Sequence, residues 1–319
     1  MSPEFALIAR HFTRPVRHTV LGVGDDGAVI RPSPGMDLVV STDMLVAGIH
    51  FFPDAEPEAL GWKALAVNLS DLAAMGARPR WALLAAALPA ADENWVAAFA
   101  RGFFAAADAF EVDVIGGDTT RGPLNLAPTV FGETPCGAAL TRSGAQDGDE
   151  LWVSGAPGLA GLGLAHRQGK IRLPETAAAR CLTALDRPQP RVGLGLALRG
   201  LASAAIDVSD GLLADLGHIL ERSALAADIA FDRLPRAALE VSGDTPLARQ
   251  CLLGGGDDYE LAFAAPANRH GEIAALADRL DLPLTCIGHL RAGPAAELVL
   301  RDKAGQPMPA GQRGYDHFA

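Results

Sequence analysis

The chain has 319 residues, with 27 Lys and Arg against 38 Asp and Glu, a formal charge of −11. Hydrophobic residues make up 49% and charged residues 20%, which excludes intrinsic disorder and supplies ample apolar material for sizeable cores. The acidic balance also excludes a general nucleic-acid binder, because neutralising phosphates requires a basic surface.

At roughly 150 residues per domain the length suggests two domains. Residues 3–12 predict a short helix, with Phe5, Ile8 and Phe12 at helical spacing. Leu38 to Ser41 reads as a buried strand. Asp54 and Pro57 stand where an N-cap and first turn would open a helix, and Leu60, Ala64, Val67 and Met75 give it an apolar stripe. Arg80 to Leu88 predicts a strand, and Asp92 a cap for a second long helix through Trp95, Phe99 and Phe103. Val112–Ile115 and Leu124–Phe131 predict two further strands, so this half fits an α+β sheet with both helices on one face.

From about Gly132 to Asp149 the chain turns polar and Gly-rich, which marks the boundary region. Leu151–Val153 predicts a strand and Leu162–Gln168 a helix; Ala204–Val208 leads as a strand into a helix over Gly211–Ser223. Strands near Ala227–Phe231, Tyr259–Phe263 and Leu284–Ile287, with helices between, complete a second α/β domain. The N-terminus lacks a basic-then-apolar leader, and Leu151–Ala165 is too short to span a bilayer and is broken by Gly155, Pro157, Gly158, Gly161 and Gly163. Cys136, Cys181, Cys251 and Cys286 form no CxxC pair, so the expectation is a reduced, cytoplasmic chain with no membrane partner.

The acids are gathered rather than scattered. Asp25-Asp26, Ser41-Thr42-Asp43 and Ser70-Asp71 form one group; Gly116-Gly117-Asp118, Asp207-Val208-Ser209-Asp210-Gly211 and Gly256-Asp257-Asp258-Tyr259-Glu260 form another. Most follow an apolar strand, where loops build sites. Asp71 instead lies among Leu69, Leu72 and Met75 of a predicted helix, so a cation or donor is expected beside it. Hard carboxylate oxygens suit Mg²⁺, and adjacent glycines let backbone approach a polyphosphate. Asp207 and Asp210, three residues apart across a strand-to-helix turn, are placed to converge on one ion, with Ser209 facing phosphate. Each motif alone also reads as turn chemistry, Asp210 as a helix cap, His50 as a structural histidine, Arg142 as a surface arginine and Tyr315 as tail packing.

Two further patterns are decoys. Gly22-Val23-Gly24-Asp25-Asp26-Gly27 matches the dinucleotide fingerprint, but two acids occupy its variable positions and no βαβ unit surrounds it. Gly163 to Lys170 lacks the P-loop spacing and the Ser or Thr after its lysine.

The ordered set of Ser41-Thr42-Asp43-Met44-Leu45-Val46, Lys63 through Asp71, Gly116-Gly117-Asp118-Thr119-Thr120 and Asp207-Val208-Ser209-Asp210-Gly211 resembles the thiamine-monophosphate kinase family. That family lies within the aminoimidazole-ribonucleotide synthetase-like ATP-binding enzymes, and the resemblance runs nearly the whole chain, to Gly314–Phe318. It implies a ferredoxin-like α+β domain over 1–135 that binds ATP and Mg²⁺ and pairs in a homodimer. A C-terminal α/β domain over 136–319 completes the active site.

The implied reaction is ATP-dependent phosphorylation of thiamine monophosphate. Carried over by motif, Asp26, Ser41, Thr42, Asp43, Asp71, Asp118, Asp207 and Asp210 would hold several Mg²⁺ ions, with Asp43, Asp71 and Asp210 serving catalysis. Gly117, Asp118, Arg142 and Ser209 would contact ATP, and His50, Asp257 and Tyr315 the thiamine phosphate. One departure is Asp257, where the family commonly has Glu. Other readings are another superfamily member, such as an aminoimidazole-ribonucleotide or selenophosphate synthetase, or a non-catalytic acidic metal- or nucleotide-binding module. The chain lacks the reactive N-terminal Cys that usually marks the selenophosphate enzymes.

Overall fold

The computed structural model describes residues 8–312, 314 and 315. The chain divides into two compact units, Met1–Leu72 with Ala77–Ala139, and Ala73–Gly76 with Leu140–Ala319. The expected helix over 3–12 is seen at residues 8–11, while residues 3–7 and the tail residues Asp316–Phe318 lie outside the described residues.

In chain order the first unit contains β1 (Thr19–Leu21), β2 (Val29–Ile30), β3 (Met36–Thr42), β4 (Leu45–Val46), α1 (Pro57–Ala74), β5 (Arg78–Leu88), α2 (Glu93–Ala109), β6 (Asp113–Arg121) and β7 (Asn125–Pro135). The sheet order is β3-β7-β5-β6, with β4 also on β7. β5 runs parallel to β6, and β7 is antiparallel to both β3 and β5. Asp92 caps α2 as expected, accepting the amides of Asn94 at 2.9 Å and Trp95 at 3.2 Å. α1 is capped differently from the sequence expectation. Pro57 has no amide to satisfy, so the first donors needing a partner are Glu58 and Ala59; the neighbouring Glu56 carboxylate accepts both, at 3.1 and 2.6 Å. Asp54 lies outside the helix.

β7 continues to Pro135, into the stretch whose polarity marked the boundary. The reason is Glu133, only 4% exposed. Its carboxylate accepts the Ser33 amide at 2.5 Å and Arg80 Nε at 2.8 Å, so a charged residue is accommodated inside the sheet. Along β7, Leu126, Pro128 and Val130 are buried while Ala127, Thr129 and Phe131 are half-buried, the alternation of a sheet with one face more deeply covered.

The second unit contains β8 (Glu150–Ser154), α3 (Leu159–Arg167), α4 (Glu175–Asp186), α5 (Val192–Leu198), β9 (Ala204–Asp207), α6 (Leu212–Ser223), β10 (Ala226–Ala230), α7 (Ala237–Ser242), α8 (Pro246–Gly254), β11 (Leu261–Ala265), α9 (His270–Leu280), β12 (Leu284–Arg291) and β13 (Leu298–Arg301). These strands form one sheet in the order β13-β10-β12-β8-β11-β9, in which β10–β13 is parallel and the other pairs are antiparallel. Alternate side chains feed two cores. Leu151, Val153 and Ile206 pack in one with Leu162, Leu216 and Leu252. Trp152, Ala205 and Phe263 pack in the other with Leu194, Leu198 and Leu276. Helices therefore cover both faces of this sheet. The strand expected from Tyr259 begins at Leu261, because Asp257 and Tyr259 have φ of 63° and 52°, outside extended geometry.

The fingerprint-like run from Gly22 to Gly27 joins β1 to its antiparallel partner β2 with no helix after it, so the Rossmann reading fails on geometry. Among the described residues no helix is long and apolar enough to cross a membrane.

Phe103 is fully enclosed on the buried face of α2. Phe103→Ala should cost about 3–5 kcal/mol, read as a lowered urea midpoint at unchanged slope.

Candidate active site

In the first unit the end of β3 is stitched to α1. Ser41 Oγ donates to Asp71 Oδ2 at 2.6 Å. The Asp43 amide donates to Asn68 Oδ1 at 2.7 Å, and Asn68 Nδ2 donates to the Ala64 carbonyl at 3.0 Å. Asn68 is completely buried, so its orientation is set by the helix and in turn sets the backbone at Asp43. Asp71 thus has the donor its place on a packed helix demanded. Thr42 Oγ1 donates to the Pro128 carbonyl at 2.8 Å and accepts from Thr129 Oγ1 at 3.1 Å, which fixes the same strand end against β7.

A second group lines a cavity of about 960 Å³, a volume in the range of small-molecule sites. Asp26, Gly117 and Asp118 are brought together there with Trp95 and Phe99. The Gly-Gly-Asp motif lies within β6 rather than after it, Gly117 opposite Leu84 and Asp118 opposite Ala85. A Cβ at Gly117 would collide with the Leu84 carbonyl, so glycine is required by the close approach of two backbones. His50 is held at both ends of its residue: its amide donates to the Val46 carbonyl at 2.9 Å and its Nδ1 accepts the Val46 amide at 3.0 Å. In the neutral ring the proton therefore sits on Nε2.

The second unit gathers its predicted residues through the backbone. Asp207 ends β9 and is buried. The Asp257 amide donates to the Ser209 carbonyl at 2.7 Å, Tyr259 to Val208 at 2.8 Å and Tyr315 to Asp210 at 3.0 Å. Gly256, with φ of 67°, passes so close that a Cβ would stand 2.6 Å from the Ser209 carbonyl. Ser209, Asp210, Asp257 and Tyr315 are thus brought into one cluster. The Arg142 backbone is not among them; its carbonyl accepts Ser223 Oγ at 3.4 Å, at the C-terminal end of α6, whereas Ser209 and Asp210 precede the N-terminal end.

Three acids absent from the predicted set organise this cluster. Asp215, 3% exposed, accepts the amides of Ser209, Asp210 and Gly211 on one oxygen at 3.0–3.1 Å. Burial, with the charge of Asp210, pushes its carboxyl up to about 7 against those three donors. Asp258 accepts the Gly158 amide at 2.8 Å, and burial raises its carboxyl well above the usual range. Glu260 accepts Ser154 Oγ at 2.6 Å and the Arg191 guanidinium at 2.6 and 2.5 Å. The signal for Asp215 was available: it is an acid among Leu212, Leu213 and Leu216 on an amphipathic helix, the pattern already read at Asp71.

The donors offered by the predicted metal set are carboxylate and hydroxyl oxygens, the chemistry Mg²⁺ accepts and softer ions do not require. Among the described residues, however, no three carboxylates of that set have ligand atoms within 4.8 Å of one another.

The two-unit architecture has counterparts among known proteins. Residues 24–134 match the model of the AIR synthase related protein N-terminal domain, and residues 146–301 that of its C-terminal domain. The thiamine-monophosphate kinase of Salmonella typhimurium is 46% identical over 322 residues, covering 99% of this chain and 98% of that protein. The crystal structure of thiamine-monophosphate kinase from Stenotrophomonas maltophilia superposes with a TM-score of 0.84 at 46% identity, covering 95% of this chain and 96% of that one. AaThiL, solved in complex with AMPPCP and TMP, superposes with a TM-score of 0.76 at 29% identity over 98% and 96% of the chains. The fold is therefore that of the AIR synthase related class. Within it, this chain belongs to the thiamine-monophosphate kinase family.

Removing the Asp215 carboxylate strands three amides. Asp215→Ala should destabilise the second unit by about 3 kcal/mol, whereas Asp215→Asn, which keeps an acceptor oxygen, should lose less. Thermal unfolding of the two variants side by side measures the difference.

Proposed function

We propose that this chain transfers the γ-phosphate of ATP to thiamine monophosphate, giving ADP and thiamine diphosphate. The observation that carries the reading is the 46% identity, over nearly the full length of both chains, to a thiamine-monophosphate kinase. AMPPCP and TMP, bound in AaThiL, correspond to the two substrates, AMPPCP retaining the triphosphate with a methylene in place of the β–γ bridging oxygen.

The residues suit that chemistry. A phosphate monoester has a second pKa of about 6, so the acceptor oxygen is already anionic at neutral pH. In-line transfer then needs neither a protein nucleophile nor a strong general base, but two polyanions held in register and their charge offset. On this reading Asp26, Ser41, Thr42, Asp43, Asp71 and Asp118 of the first unit, with Asp207 and Asp210 of the second, hold Mg²⁺. When bound, the metal supplies positive charge to the transferring phosphoryl group and its acceptor. Asp43, Asp71 and Asp210 carry the catalytic requirement. Ser41 fixes one Asp71 oxygen at 2.6 Å and so aims the carboxylate. Gly117, Asp118, Arg142 and Ser209 contact ATP, the close-packed backbone at Gly117 leaving no side chain in the way of phosphate. His50, with its proton on Nε2, orients thiamine phosphate as a donor, and Asp257 and Tyr315 are the other residues assigned to that substrate.

The organisation proposed is a homodimer through the first unit. β3 is the edge of its sheet, and Met36, Leu38 and Val40, on one face of it, are 38%, 40% and 53% exposed. An uncovered apolar edge strand invites pairing with a second copy. A cytoplasmic location fits four cysteines that are all unpaired.

Incubation with MgATP and thiamine monophosphate should yield thiamine diphosphate; no product while nucleotide still binds would instead indicate a non-catalytic module. Asp71→Asn and Asp210→Asn should each lower turnover by at least about 100-fold with the circular dichroism spectrum retained. Wild-type rates in both at low Mg²⁺ would sink the metal assignment. Val40→Lys should shift the mass seen by light scattering from dimer to monomer.

A further inference from the structure

Among the described residues, one group of three metal-ligating side chains has its ligand atoms within 4.8 Å of one another, and it lies outside the residues assigned to phosphoryl transfer: Glu150, His270 and Cys286. Glu150 opens β8, Cys286 lies on the neighbouring β12, and His270 opens α9. Two ligands from adjacent strands and one from a helix start give the group a rigid base. A break in the β8–β12 register between Cys286 and Gly288 accompanies it, the kind of irregularity that re-aims side chains.

We infer that Glu150, His270 and Cys286 form a zinc site, with water as the fourth ligand on the exposed His270 side. His270 Nδ1 lies 2.9 Å from one Glu150 oxygen and 3.0 Å from the other. The Trp152 indole donates to Glu150 Oε2 at 3.2 Å, and its ring lies against the imidazole, tilted by 54° at a centroid distance of 4.9 Å. Carboxylate and imidazole are therefore oriented from outside the trio, as ligands of structural and catalytic zinc commonly are. Tetrahedral zinc bonds of about 2.0–2.3 Å put ligand atoms about 3.3–3.8 Å apart, so the separations here close with side-chain rotation, which the half-exposed His270 permits.

Charge favours the ion. Thiolate and carboxylate side by side repel; a dication offsets both, and neutral imidazole adds no charge. Sulfur and imidazole ligands select zinc over Mg²⁺, so the site stands apart from the oxygen-only set above.

The test uses the untagged full-length chain stripped of metal. One equivalent of Co²⁺ should give a thiolate-to-cobalt charge-transfer band that Zn²⁺ displaces, and Zn²⁺ should raise the melting temperature. Cys286→Ser should abolish the band, and His270→Gln should weaken Zn²⁺ binding by at least about 10-fold. Both variants should keep the wild-type rate of Mg²⁺-dependent phosphoryl transfer. The proposal is overturned if wild type shows no thiolate band, or if the band and zinc stoichiometry persist in Cys286→Ser. Should that variant not fold, His270→Gln, altered at an exposed position, decides the matter: unchanged zinc affinity there also overturns the site.

Discussion

The acidic loop of the second unit depends on a carboxylate turned inward. Asp215 has little access to water and gathers the amides of Ser209, Asp210 and Gly211. This exchange of hydration for three backbone donors fixes the loop before any ligand arrives. With those amides committed, the carbonyls of Val208, Ser209 and Asp210 become acceptors for Tyr259, Asp257 and Tyr315. Residues far apart in sequence are thereby threaded onto one short loop. The first unit uses the same device with an amide side chain: buried Asn68 holds the backbone at Asp43 while Ser41 holds Asp71. In both units the residues proposed to bind ligand are held in place by a buried polar side chain, Asn68 in the first and Asp215 in the second.

This division of labour explains how a chain of net charge −11 can be matched to two polyanions. Part of the formal negative charge never faces ligand: burial disfavours the charged form of Asp215 and Asp258, and guanidinium offsets Glu133 and Glu260. The remainder, on our reading, is offset by Mg²⁺, after which the local field favours phosphate. Lysine-rich sites also bind phosphates, but a metal brings directional coordination and draws charge from the phosphoryl group itself.

Much of this was legible in the sequence because its signals were local. Strands β5, β8 and β9 and helices α2 and α6 announce themselves by apolar runs or period and, for α2, by the Asp92 cap; β3 is a strand as expected but an edge one and not buried, with Leu38 and Val40 exposed. The misplaced features have non-local causes. The α1 cap moved to Glu56 because proline changes which amides need a partner. β7 ran on through Glu133 because Arg80, 53 residues away, lies beside it. β11 started late because two residues adopt left-handed backbone at the loop it leaves. Asn68 resembles, in sequence, an ordinary helix position, whereas Asp215 carries the same signal as Asp71, an acid among the apolar residues of a helix.

The left-handed backbone at position 257 also bears on the family departure there. A φ of 63° is costly for most side chains, and least so for Asn and Asp, whose short polar groups bond locally. The usual Glu would carry its charge one methylene further, with more strain at its own backbone. Asp257 lowers that strain and shortens the reach, so the two changes compensate only if the loop itself moves toward substrate. Its amide, however, is tied to Ser209 and its neighbour Gly256 is packed against the same carbonyl. A loop so braced does not advance freely. If Asp257 acts on thiamine phosphate, a bridging water or metal-bound ligand would span the missing length, which places the adaptation in the solvent of the pocket rather than in the fold.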